Sequence, residues 1–167
     1  MKMISSYSII LMGVAGAGKT TIGKKLEKIF GYKFYDADDF HPTENIKKMR
    51  KGIPLTDDDR LGWLENLNNL LADSEQKLEP IVLACSSLKE KYRCILTENT
   101  KCVFIYLKIS KNCAINRLEN RVGHYFNASL IDAQFDDLEE PEICVEIDAD
   151  KSIPEIIRKI KLEMKTP

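Results

Sequence analysis

Short apolar runs alternate along the chain with longer segments of helical period. Tyr7 to Met12, Ile81 to Cys85 and Val103 to Leu107 are nearly continuous apolar stretches of strand length. Lys33 to Asp36 and Val145 to Ile147 are two shorter strand candidates. Thr20 to Phe30 puts Ile22, Leu26, Ile29 and Phe30 on one side of a helix. Asp57 to Ala72 repeats leucine as Leu61, Leu64, Leu67, Leu70 and Leu71. Steps of three and four residues are the period of a helix with one apolar face. Leu88 to Leu96, a segment through Cys113 to Leu118 with Ser110 as N-cap, and Ile153 to Met164 are further helices. Strands without polar alternation, separated by helices, predict an α/β domain with a parallel sheet covered on both faces.

Two segments break this pattern, Asp38 to Thr56 and Arg121 to Leu130. Both are polar and hold Gly, Pro or His. Open parallel sheets bind ligands beyond the C-terminal ends of their strands, and both segments are delivered to that edge. Composition sharpens the class. The chain has 167 residues, 44% hydrophobic and 31% charged, which suits one globular domain with a sizeable core. Lys and Arg number 25 against 26 Asp and Glu, a formal charge of −1. That balance speaks against broad attraction to nucleic acid or to an anionic membrane, and leaves room for a small basic pocket. The five cysteines are odd in number and none has C-x-x-C spacing, so neither a disulfide framework nor a zinc site is expected. No signal peptide or membrane span is read, and a soluble, cytoplasmic protein is expected.

Candidate chemistry begins at Gly13-Val14-Ala15-Gly16-Ala17-Gly18-Lys19-Thr20, which matches G-x-x-x-x-G-K-[ST]. Glycines let the backbone turn its N–H groups onto phosphate oxygens, and the following helix adds its positive end. Lys19 supplies a cation for the β- and γ-phosphates, Thr20 a hydroxyl for Mg²⁺, and Thr21 continues the first turn. ATP or GTP with Mg²⁺ is the expected ligand pair. No Asn-Lys dipeptide occurs, so the N-K-x-D guanine signature of a regulatory GTPase is missing. Phosphoryl transfer is mostly positioning and charge neutralisation, and a kinase needs a closing lid to exclude water. Asp36 and Asp38 follow the second strand, and two carboxylates two residues apart on an extended segment are expected to point the same way. One is read as near Mg²⁺ or its water, the other as acceptor of the attacking hydroxyl's proton.

Beyond the phosphate loop, Asp36-Ala37-Asp38-Asp39-Phe40-His41-Pro42 is followed by Lys48-Met49, Gly52-Ile53-Pro54-Leu55, Asp57, Asp59-Arg60 and Trp63-Leu64. Ala84-Cys85-Ser86-Ser87-Leu88-Lys89, Tyr92-Arg93, Arg121 with His124, and Gln134-Phe135 complete the set. Taken together these motifs resemble the gluconokinases of the shikimate-kinase-like P-loop group, from Ile9 to about Pro141. Ala15 and Ala17 stand where many members have serine, a departure that leaves the backbone donors intact. The resemblance implies ATP-dependent phosphorylation of D-gluconate to 6-phosphogluconate by a homodimer. It implies a five-stranded sheet ordered 2-3-1-4-5, a substrate segment at about 38–60 and a lid at about 121–130. It makes Asp38 the residue that orients the hydroxyl and places Asp36 towards Mg²⁺. Arg121 would close over the transferring phosphate and Arg117 would lie against adenine.

The substrate is a polyol with one carboxylate. His41 suits a sugar hydroxyl, because neutral imidazole both donates and accepts. Arg60 has the fork for a carboxylate. Lys89 and Arg93, four residues apart on a predicted helix face, and the weaker candidate Lys48 are expected near the carboxylate or hydroxyls. His124 is expected over the substrate. Rival readings are another small-metabolite kinase, such as a shikimate or nucleotide kinase, and a non-catalytic ATP-binding regulator. Against the first, the site after the third strand reads Ala84-Cys85-Ser86-Ser87, not Gly-Gly-Gly. Against the second, Lys19, Thr20, Asp36 and Asp38 are all present.

Overall fold

The computed structural model describes residues 7–120 and 128–164. Strand β1 (Ser8–Met12) is buried along its whole length and sits at the centre of the sheet. It pairs in parallel with β3 (Ile81–Ala84) on one side and β4 (Cys102–Lys108) on the other. β2 (Lys33–Asp36) and β5 (Val145–Asp148) form the edges, so the order is 2-3-1-4-5, as expected.

Alternate residues of β1 feed two cores. Ile9 and Leu11 join the layer closed by α1 (Lys19–Phe30) and α7 (Ile153–Glu163). Ile10 joins Trp63, Leu64, Leu67 and Leu71 of α3 (Asp57–Gln76) on the opposite face. Leu67 is fully buried, and its truncation to Ala is worth roughly 2–5 kcal/mol of stability. Leu61, counted with the apolar stripe, is 45% exposed at its margin. The capping reasons are local. Thr56 accepts from Asp59 N while Asp59 reaches back to Thr56 N, which starts α3. Ser110 accepts from Cys113 N and starts α5 (Lys111–Glu119), as predicted.

The segment 38–56 is more ordered than its pattern suggested. A short 3-10 turn (Ala37–Phe40) leads into α2 (Thr43–Arg50), whose only buried residue is Asn45. The eight residues of α2 hold two large apolar side chains, Ile46 and Met49, too few for a stripe that pattern reading singles out. Polar contacts dock it instead: Asn45 Nδ2 donates to Asp59 O at 2.7 Å, and Lys48 pairs with Asp59 at 2.7 Å. Helix α4 (Glu90–Leu96) begins later than predicted, with Lys89 as its extended N-cap. Helix α6 (Ala128–Asp137) precedes β5.

Candidate active site

The phosphate loop leaves β1 and enters α1 through backbone shapes that favour glycine. Gly13 has φ +144°, and a Cβ there would lie 2.8 Å from Leu107 O. Gly16 has φ +83°, and its Cβ would meet Ala114 O at 2.8 Å. Both positions need a residue without a side chain. Val14 and Ala17 are buried beneath the loop, which turns Ala15, Gly16 and Gly18 outward to line a cleft of about 390 Å³. Lys19 Nζ donates to Gly13 O at 2.8 Å and Val14 O at 3.0 Å. Burial pushes its pKa down, against the opposing pull of the Asp38 and Asp36 carboxylates. Thr20 and Thr21 line the same cleft.

Asp36 and Asp38 also face it, though not by strand alternation. Only Asp36 belongs to β2; Asp38 lies in the 3-10 turn, which Asp36 caps by accepting from Asp38 N at 3.2 Å. Asp36 Oδ2 accepts from Thr20 Oγ1 at 2.8 Å. Two hard oxygen donors therefore meet at the mouth of the phosphate loop, a donor set that suits Mg²⁺. The Asp38 side chain is 87% exposed, yet it sits in the concave cleft. Partial loss of hydration, then the Asp36 charge, raises its pKa, with Lys19 pulling the other way.

His41 is stacked on Trp63: the ring centroids are 4.2 Å apart and the planes nearly parallel. Its side chain is 5% exposed, with Nε2 4.0 Å from Asp38 Oδ1. Burial, then the Arg60 charge, lowers its pKa, so the ring is neutral at physiological pH. Trp63 is fixed by donating from Nε1 to Ala37 O at 2.8 Å.

The basic candidates separate once their partners are seen. Arg117 lines the phosphate-loop cleft and donates to Gly16 O at 3.3 Å and Ala149 O at 2.6 Å. Arg60 donates to Leu55 O and Tyr92 Oη. Lys89 pairs with Asp137 at 3.2 Å. The expected common face of Lys89 and Arg93 is absent, because the N-cap conformation turns Lys89 off the helix. Arg93 is 4% exposed and donates to Ser87 O and Leu88 O, bracing the turn after β3. It lines a separate and larger cavity of about 870 Å³ near residues 139–145, which contains none of the phosphate-loop residues. Arg121 and His124 lie outside the described residues.

Three further residues carry geometry that motif reading did not single out. Gln134 Oε1 accepts from Ala15 N at 2.7 Å, tying α6 to the phosphate loop across 119 positions. Tyr92 and Asp57 form a hydrogen-bonded pair beside Arg60. All three stand in the motifs, but only their contacts give them a part in the site. Cys85 is buried, and burial pushes its thiol up to about 12, which leaves it inert.

Known proteins fit this geometry. A model of the shikimate kinase family matches residues 15–140. The chain is 44% identical over 140 residues to the thermosensitive gluconokinase of Escherichia coli (strain K12), covering 83% of this chain and 75% of that protein. It is 40% identical over 177 residues to a gluconokinase of Arabidopsis thaliana, covering 96% and 93% of the two chains. The crystal structure of a gluconokinase from Sinorhizobium meliloti 1021 superposes with a TM-score of 0.85 at 37% identity, covering 95% of this chain and 91% of that one. With a sheet ordered 2-3-1-4-5, an intact phosphate loop and these relatives along most of its length, the chain belongs to the gluconokinase family of P-loop carbohydrate kinases.

Proposed function

We propose that this enzyme transfers the γ-phosphoryl group of ATP to the terminal hydroxyl of D-gluconate, giving 6-phospho-D-gluconate. The observation that carries the reading is the meeting of Lys19 and Asp38 in one cleft at the C-terminal edge of the sheet. The phosphate loop, Gly13 to Thr20 with Thr21, binds the nucleotide through backbone N–H groups, and Arg117 lies beside it. Lys19 leaves its carbonyl partners for the β- and γ-phosphate oxygens. Thr20 and Asp36 would hold Mg²⁺, which when bound neutralises phosphate charge. Asp38 aligns the attacking hydroxyl and takes its proton as the bond to phosphorus forms. A loose transition state asks for that transfer only late, so a raised but ordinary carboxylate suffices. Neutral His41 bridges substrate hydroxyls, and Arg60 faces the carboxylate. Lys89 supports the acceptor side. Arg121 and His124 are assigned to the lid by family resemblance.

Two coarser traits belong to the same reading, a cytoplasmic enzyme and a homodimer. Among the described residues no helix is long and apolar enough to cross a membrane. The solution mass by light scattering checks the dimer. The decisive assay is ADP release across D-gluconate, shikimate, other sugar acids and nucleoside monophosphates. Turnover is expected with gluconate above the rest; activity confined to another acceptor overturns the assignment.

A further inference from the structure

The basic residues on the acceptor side differ in what neutralises them. Lys48 is held by Asp59, Lys89 by Asp137, Lys91 by Asp57 and Arg93 by Glu90. Each of these charges already has its carboxylate. Arg60 has none among the described residues; its acceptors are the neutral Leu55 O at 2.8 Å and Tyr92 Oη at 3.3 Å. Both bonds leave from Nη1. The Nε and Nη2 nitrogens have no acceptor among the described residues, and no buried side-chain nitrogen there lacks a partner, so that edge faces solvent. An arginine pinned through one nitrogen with its other edge open is a preorganised bidentate receptor for a carboxylate.

Tyr92 does the pinning. It is buried, and its hydroxyl proton goes to Asp57, which turns an oxygen lone pair towards Arg60. Its ring also carries the guanidinium carbon 5.6 Å from the centroid. Asp57 is a steady acceptor: hydrogen bonds from Lys91 and Tyr92 hold its carboxyl at about 2. The same aspartate opens α3, so the relay joins the first turn of α3 to α4.

We propose that Tyr92, backed by Asp57, is the positioning pair that aims the Nε–Nη2 edge of Arg60, the residue read above as facing the acceptor's carboxylate. This rests on the sugar-acid reading above and deepens it. Lys48, Lys91 and Arg93 are then counter-ions and braces of the surrounding elements.

Steady-state kinetics of Tyr92→Phe, Asp57→Asn and Arg60→Lys test it. Tyr92→Phe keeps the ring and removes the aiming oxygen. It is expected to raise the gluconate KM about 5-fold, with kcat at saturation and the KM for ATP within about twofold of the parent. Arg60→Lys keeps the charge but loses the fork, and is expected to raise the gluconate KM about 10-fold or more. Asp57→Asn follows Tyr92→Phe in the same parameter and guards against a variant that folds poorly. An unchanged gluconate KM in Tyr92→Phe overturns the positioning role. An unchanged gluconate KM in Arg60→Lys overturns the carboxylate assignment, and parallel changes in kcat and ATP KM reduce the network to a structural brace. If the parent enzyme turns over another carboxylic acid instead of gluconate, the earlier reading fails, and the same three variants assayed on that acid still decide this one.

Discussion

The nucleotide side and the acceptor side of the molecule handle positive charge in opposite ways. At the nucleotide end, Lys19 and Arg117 rest on backbone carbonyls, Gly13 O and Val14 O for one, Gly16 O and Ala149 O for the other. On the acceptor side, Lys48, Lys89, Lys91 and Arg93 are held by carboxylates, and Arg60 alone among these five has no carboxylate partner among the described residues. A carbonyl dipole orients a cation without cancelling its charge. The nucleotide side therefore keeps two cations, Lys19 and Arg117, that are not locked in an ion pair among the described residues. Of Lys48, Arg60, Lys89, Lys91 and Arg93, Arg60 is the one with no carboxylate partner among the described residues, which suits a substrate with a single carboxylate.

The largest expected break in this pattern is Lys19→Ala. It removes the uncancelled charge nearest the transferring group and should lower kcat by about 10³-fold or more while nucleotide-free stability holds. Single-turnover kinetics measure it, and a loss confined to ATP affinity would move Lys19 out of the chemistry. Asp38→Asn comes next, with kcat down about 10²-fold and little change in gluconate KM. An unaltered kcat would return Asp38 to a turn residue.

Arg60→Ala sharpens the acceptor half: the gluconate KM should rise about 30-fold with ATP KM unmoved. The pH profile gives a smaller effect. In the proposed mechanism Asp38 works as the carboxylate, and its pKa is raised by lost hydration and by Asp36. Activity is thus full above that raised pKa and falls as pH drops through it, an acid limb displaced above the ordinary carboxylate range. His41 shifts the other way and stays neutral below the usual imidazole value, so it adds no limb near neutrality. A kcat/KM profile with its acid limb at the ordinary carboxylate value would contradict the Asp38 environment. Smallest is Trp63→Phe. It keeps a ring under His41 but loses the bond to Ala37 O, and should cost about 1 kcal/mol in denaturant unfolding.

Much of the nucleotide half is legible in the amino-acid sequence. The strand, the Gly13 to Thr20 loop and the helix behind it are contiguous, and their function lies in backbone N–H groups that a local motif already dictates. Asp36 and Asp38 belong to the cleft that their position after β2 implies, but a cap and not strand alternation brings them together. Helix α2 is hidden because it is only eight residues long and its docking contacts are polar, whereas periodicity reports longer apolar faces. Lys89 and Arg93 mislead because helical spacing holds only inside the helix, and Lys89 lies one residue before it.

Sequence by itself determined the layered α/β fold, the strand order through family resemblance, the phosphate loop and the acidic pair. These follow from contiguous residues or from patterns repeated at short range. Only the tertiary structure decided which cations are cancelled. Lys89 meets Asp137, and Ala15 meets Gln134, across gaps that no spacing rule spans. Electrostatic neutralisation falls off with distance through space, not along the chain, so the open guanidinium of Arg60 could be recognised only after folding had assigned partners to the cations around it.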